Sequence, residues 1–243
     1  MSENNKDKEI CETEFCEMCH FETPVKNILM VVTSANEFNN KHKTGLWLEE
    51  FAIPYLAFIE KGYKVTVASP NGGQAPIDPE SENLENEIKW EKAKKALEKT
   101  DKLDSIDYKS FDALVLPGGH GPMLDLYNNN TLGEIINDFS TKHKLIAAIC
   151  HGPAGLLSAV KNGISFVNGK KLTCFTNEEE HYYNKENLLP YYLEDTLKDA
   201  GAQFVQCDIG AVNITEDGNL ITGQNFQSSE AFAKAIINYL DRN

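Results

Sequence analysis

Apolar positions along this chain fall into two rhythms. Residues 27–33 read Asn-Ile-Leu-Met-Val-Val-Thr, a near-continuous apolar run of the kind expected of a strand buried on both faces. Leu46, Trp47, Phe51, Leu56 and Ile59 then recur at helical spacing up to Lys61-Gly62, where the glycine suits the left-handed residue that closes a helix. Residues 63–69 (Tyr-Lys-Val-Thr-Val-Ala-Ser) return to a strand pattern and are broken by Pro70-Asn71-Gly72-Gly73. A strand, a helix and a second strand in this order predict a right-handed βαβ unit with parallel strands.

Residues 80–110 change character. Glu and Lys dominate, and Ile88, Trp90, Ala93, Ala96 and Leu97 form only a weak apolar stripe. This predicts a charged helical insertion whose charges face solvent, with Trp90 packing inward. Apolar strands resume at 113–116 and 145–149, with shorter ones at 171–175 and 203–206. Residues 212–215 and 220–222 flank Asp217-Gly218-Asn219 as a hairpin. Helices are expected at 131–139 and 191–200, and a last one runs through Tyr239, capped by Ser228 or Ser229. Strands alternating with helices give an α/β fold: a flavodoxin-like sandwich with a mainly parallel central sheet and helices on both faces.

With 243 residues, 41% of them hydrophobic, the chain can bury a full core. Its net charge of −14 argues against nucleic acid and anionic membranes as partners. No apolar run approaches spanning length, and the polar start lacks the apolar region of a secretory signal. A cytoplasmic location is therefore expected, with the six cysteines reduced. Cys174 and Cys207 fall in strand patterns and are expected in the core, and Trp47, like Trp90, in packing.

Candidate chemistry concentrates at three places. Residues 145–149 end at Cys150, and Gly152, Pro153 and Ala154 come directly after it. Such a strand–elbow–helix would set the Cys150 thiol on a strained turn beside a helix amino end, where the thiolate is favoured. Pro117-Gly118-Gly119-His120-Gly121 succeeds the strand at 113–116, and its glycines would let amides approach a ligand as an oxyanion pocket with the amide after Cys150. Glu49 and Glu50 lie on the first helix; one faces solvent, and the other, among Trp47, Phe51 and Pro54, is expected buried and protonated. In parallel sheets such segments meet beyond the carboxyl ends of the strands.

Together the motifs resemble the ThiJ/PfpI superfamily of the class I glutamine amidotransferase-like fold. The resemblance spans residues 25–242 and rests on Lys43-Thr44-Gly45 with Glu50 and Pro54, Leu116-Pro117-Gly118-Gly119-His120-Gly121-Pro122, Ala148-Ile149-Cys150-His151-Gly152-Pro153, Phe175-Thr176-Asn177-Glu178 and Ile221-Thr222-Gly223-Gln224-Asn225. Within it the chain is most similar to the heat-shock chaperone and glutathione-independent glyoxalase III group. That resemblance implies Cys150 as nucleophile, His151 as its catalytic neighbour and Glu50 as the helix carboxylate. It places a supporting acid after Phe175, at Glu180, although Glu178 and Glu179 stay open. Gly118, Gly119, His120 and His151 would bind the oxyanion or substrate. The implied reaction takes methylglyoxal or a related 2-oxoaldehyde to a 2-hydroxy acid such as lactate, without a cofactor, in carbonyl-stress defence, with protein deglycation as a further facet. A homodimer is the expected assembly.

Other functions stay open on the sequence. A holdase for unfolded clients or a redox sensor would use the same fold. A cysteine peptidase or amidase is the other enzyme class; Ala148 at the elbow and the lack of a far-downstream histidine beyond His181 weigh against an amidotransferase. Ahead of residue 25 lies a polar extension carrying Cys11, Cys16, Cys19 and His20. These could form a Cys3His zinc set, but the short polar surroundings favour a thiol-bearing tail with no metal.

Overall fold

The computed structural model describes residues 25–38, 41–82 and 88–243. The possible zinc ligands Cys11, Cys16, Cys19 and His20 lie outside these. Among the described residues, no helix is long and apolar enough to cross a membrane.

A central sheet carries β1 (Asn27–Val31), β2 (Lys64–Ser69), β3 (Asp101–Lys102), β4 (Ala113–Leu116), β5 (Leu145–Ile149), β10 (Ile214–Asp217) and β11 (Leu220–Gly223), in the order β10-β11-β5-β4-β1-β2-β3. All neighbours are parallel except the β10–β11 hairpin. A minor hairpin, β6 (Val160–Lys161) with β7 (Ile164–Ser165), lies apart from it. Successive side chains of a strand point to opposite faces, and the core divides accordingly. Leu29, Val31, Leu114, Leu116, Ile146 and Ala148 pack on one face with α3 (Pro122–Asp125), α4 (Asn130–Thr141) and α6 (Leu193–Asp199). Ile28, Met30, Val32, Ala113, Val115 and Ile149 pack with α1 (Leu48–Glu60), α2 (Glu91–Leu97) and α7 (Ser229–Arg242) on the other. The α/β sandwich with helices on both faces is the fold the alternating pattern predicts.

The charged insertion is helical as expected: α2 lies between 3-10 turns at Pro79–Ser81 and Leu103–Ser105, and Trp90 is buried. Other local expectations are corrected. The strand expected at 171–175 is only β8 (Lys171–Leu172), which leaves the main sheet to pair with β9 (Gln203–Phe204). Cys174 is buried but outside any strand, and Cys207 is exposed rather than core. Ser228 sits at the start of α7 without capping it: its Oγ donates to Asn225 Oδ1 and accepts from the Asn213 amide. Gly62 closes α1 with φ +85° as the sequence predicts.

The strand order reverses direction between β1 and β4, and crevices open at such switch points beyond the carboxyl ends of the strands. The loops after β1, β4 and β5 meet there. Gly121 donates its amide to the Gly45 carbonyl at 3.1 Å, and Trp47 donates to the Gly118 carbonyl at 3.1 Å. Two loops distant in sequence are thus sewn together at the mouth of the crevice.

Candidate active site

β5 ends at Cys150, whose φ of +58° lies in the left-handed region that a side chain other than glycine adopts only under constraint. Such a residue carries roughly 1–3 kcal/mol of strain. Here the elbow is tied on both sides: Cys150 donates its amide to the Gly223 carbonyl (2.9 Å) and accepts from the Phe175 amide (3.0 Å). The chain then enters a 3-10 helix, Gly152–Ser158, rather than the α-helix start the sequence suggests. Pro153 offers no amide to an α-type ladder, and Ala154 instead donates to the His151 carbonyl three residues back. Gly152 admits no side chain, because a Cβ there would lie 2.1 Å from the Leu116 carbonyl oxygen.

Four polar side chains converge on this turn. His151 Nδ1 lies 3.2 Å from Cys150 Sγ, and its Nε2 lies 2.6 Å from Glu180 Oε1. Glu180 is delivered by α5 (Asn177–Tyr182), which starts with a capping box: Thr176 Oγ1 accepts from the Glu179 amide, and Glu179 Oε2 accepts from the Thr176 amide. The capping box resolves the three consecutive glutamates. Glu178 is not buried, and Glu179 is used in the cap and in holding Asn225 Nδ2 at 2.7 Å. Glu180 alone points at His151.

Glu50, in the first turn of α1, is fully buried, whereas Glu49 is not. Its Oε2 accepts the Gly118 amide at 2.9 Å, while Oε1 has no hydrogen-bond partner and the carboxyl lies beside the Cys150 thiol. Gly118 is therefore not an oxyanion donor, contrary to the sequence expectation, because its amide is already taken. The Gly119 amide, by contrast, faces the Cys150 sulfur. Gly119 holds φ +84°, and a Cβ there would lie 2.4 Å from the Gly45 carbonyl oxygen.

Burial sets the protonation states. It raises Glu50 to about 8, against weaker opposing hydrogen bonds with Cys150 and Gly118. Burial, with the neighbouring Glu50 charge, pushes the Cys150 thiol well above its ordinary value. This corrects the expectation of a resident thiolate at a helix end: the 3-10 turn brings too little positive field to offset desolvation and two carboxylates. Burial also opposes charge on Glu180, but the imidazoles of His151 and His120 outweigh it and hold that carboxyl at about 2. Burial and the neighbouring His120 lower His151 despite Glu180.

The thiol opens into a cavity of about 260 Å³ lined by Trp47, His120, Phe175, Tyr183 and Phe226, with Glu80 and Lys185 ion-paired at its edge. Trp47 packs as expected, stacked on Phe226 with centroids 5.2 Å apart, and the pair forms one wall of the cavity. His120, His151 and Glu180 bring polar atoms within 4.8 Å of one another. Their direct contacts, 2.6 and 3.2 Å, are hydrogen-bonding distances, and the three side chains form one buried hydrogen-bonded group.

The sequence profile of the DJ-1/PfpI family matches residues 44–239. The glutathione-independent glyoxalase hsp3101 of Schizosaccharomyces pombe is 30% identical over 217 residues, covering 80% of this chain and 86% of that protein. Among solved structures, glyoxalase III from Candida albicans is 28% identical with a TM-score of 0.76, covering 88% of this chain and 96% of its own. The Rapid Encystment Protein 24 KDa of Francisella tularensis is 36% identical with a TM-score of 0.83, covering 89% and 99%.

Proposed function

Because the chain belongs to the DJ-1/PfpI family, we propose that it is a glutathione-independent glyoxalase that converts methylglyoxal and related 2-oxoaldehydes to 2-hydroxy acids through Cys150. The observation that carries this reading is the linear array Glu180–His151–Cys150, at 2.6 and 3.2 Å, with a buried carboxyl of raised pKa beside the sulfur. Relatives that match most of the chain bear the glyoxalase name.

With Glu180 ionised, His151 carries its proton on Nε2 and presents a bare Nδ1 to the thiol. As Cys150 Sγ attacks the aldehyde carbon, the thiol proton passes to His151, and the imidazolium is stabilised by Glu180. The alkoxide accepts from the Gly119 and His151 amides and takes a proton to give a hemithioacetal. Glu50, with a pKa near neutrality, suits the next step: it removes the C1 proton and returns it to C2 through an enediol. C1 is oxidised as C2 is reduced, so no outside electron acceptor is needed. Water then cleaves the thioester, releasing the 2-hydroxy acid and regenerating the thiol.

The test is lactate formation from methylglyoxal without glutathione, in wild type and in Cys150→Ala. Turnover that disappears in the variant supports the reading, and no turnover in reduced wild type overturns it.

A further inference from the structure

Glu180 serves two histidines. Its Oε1 meets His151 Nε2 at 2.6 Å, and its Oε2 meets His120 Nε2 at 3.2 Å. The two rings lie against each other, with centroids 4.1 Å apart at an interplanar angle of 38°. His120 comes from the loop after β4, is nearly buried, and is backed by the edge of Phe38 at a centroid distance of 5.9 Å. A packed apolar ring in that place would leave Glu180 Oε2 buried without a donor.

We propose that His120 is a positioning residue, which pins the second oxygen of Glu180 and, by sharing that carboxylate, keeps His151 uncharged with its Nδ1 free for the Cys150 proton. The geometry sets where protons sit around the carboxylate: an ionised Glu180 accepts from both Nε2 atoms, which leaves His151 Nδ1 directed at Cys150 Sγ. One carboxylate can compensate one imidazolium. While His120 draws on Oε2, less of the negative charge is available to make His151 cationic, and a charge on either ring opposes a charge on the other across 4.1 Å. Burial and His120 both hold His151 below the ordinary imidazole range. Among the described residues, the other charged or titrating groups facing this set include Cys150 itself, the buried Cys174, Glu50 from α1, Glu179 from α5, and the Glu80–Lys185 pair at the cavity edge. Each persists when His120 is replaced.

This inference concerns the same site as the proposed glyoxalase reading, but its test needs no turnover. Cys150 alkylation by iodoacetamide is followed at the Cys150 peptide by mass spectrometry, from pH 4 to 10, in wild type, His120→Phe, His120→Gln, Glu180→Gln and the double variant His120→Phe/Glu180→Gln. Phe keeps the ring packing against His151 and Phe38 and removes the donor, with His120→Leu in its place should Phe not fold. Gln keeps an amide donor within reach of Oε2. In wild type the rate rises through the acid-side titration of the Cys150–His151 pair. His120→Phe is expected to move that midpoint up by about one pH unit, and His120→Gln to move it by less than half as much. In the Glu180→Gln background the Phe substitution is expected to add less than half the shift it gives in wild type, because only the direct ring-to-ring part of the coupling survives there. An unmoved midpoint in His120→Phe, an equal shift in His120→Gln, or an additive shift in the double variant would each overturn the proposal. A failed glyoxalase assay with this pattern intact would sink the substrate and leave the relay standing.

Discussion

The amide of Gly118 donates to Oε2 of Glu50 at 2.9 Å, joining the loop after the fourth strand to the first helix across 68 positions of sequence. That bond holds the carboxyl beside Cys150 and engages the Gly118 amide, which is then not free for an oxyanion. It also fixes a buried acid whose pKa, about 8, lies where proton transfer in both directions is easy.

Glu50→Gln is expected to lower kcat by about 10²–10⁴-fold, the usual share of a general acid–base group. The fold should survive, since the amide oxygen can still accept from Gly118. Steady-state kinetics on 2-oxoaldehydes, with thermal unfolding as a control, checks both halves.

The same group makes stability depend on pH. Its pKa is raised from 4.5 in the unfolded chain to about 8 in the fold, so its favourable contribution is complete below 4.5 and is lost as pH rises to 8. Glu50→Gln cannot ionise. The melting temperature of the variant minus that of wild type should therefore grow between pH 5 and pH 8, as calorimetry would read.

Activity should rise with pH in two steps, because His151 must be uncharged to take the thiol proton and Glu50 ionised to take the C1 proton. Lowered His151 places the first limb below the ordinary imidazole value of 6.5, and Glu50 places a second rising limb near 8. A kcat profile across roughly pH 5–9.5 reads both limbs. In Glu50→Gln the limb near 8 should vanish from the residual activity.

Much of this site is legible in the chain because its parts are contiguous: Cys150 with His151, and the glycines after the fourth strand, are local signals of turn and strand end. The buried member of the pair Glu49 and Glu50 can be narrowed by its apolar neighbours. The choice among Glu178, Glu179 and Glu180 cannot, since it depends on which residue the capping box at Thr176 uses. Likewise the thiol's protonation state escapes the sequence, because a helix end is visible there and desolvation by distant residues is not. The contact of His120 with Glu180 joins residues 60 apart and has no local signal. Fold-level alternation of strands and helices is clear; the short strand at 171 is not, because the residues after it leave strand geometry while keeping an apolar pattern.

Gly152→Ala should be destabilised by about 1–3 kcal/mol, the usual range for overpacking, because a Cβ would stand 2.1 Å from the Leu116 carbonyl oxygen. The backbone cannot yield without moving Cys150, so kcat should fall along with the denaturant midpoint. A variant as stable and active as wild type would refute the close packing of the elbow.

Trp47→Ala opens the wall formed by its stack on Phe226, 5.2 Å between centroids, without touching the proton-carrying groups. KM should rise several-fold with kcat little changed, the signature of lost uniform binding. Bulky 2-oxoaldehydes should suffer more than methylglyoxal.

The glyoxalase reading depends on a covalent Cys150 adduct whose internal redox rearrangement yields the 2-hydroxy acid. The most direct measurement is lactate production from methylglyoxal by reduced protein without glutathione, wild type against Cys150→Ala, with each checked for folding. Lactate from wild type and none above background from Cys150→Ala is the expected result. Lactate formed equally by both proteins, or by neither, would rule the adduct out as the route to product.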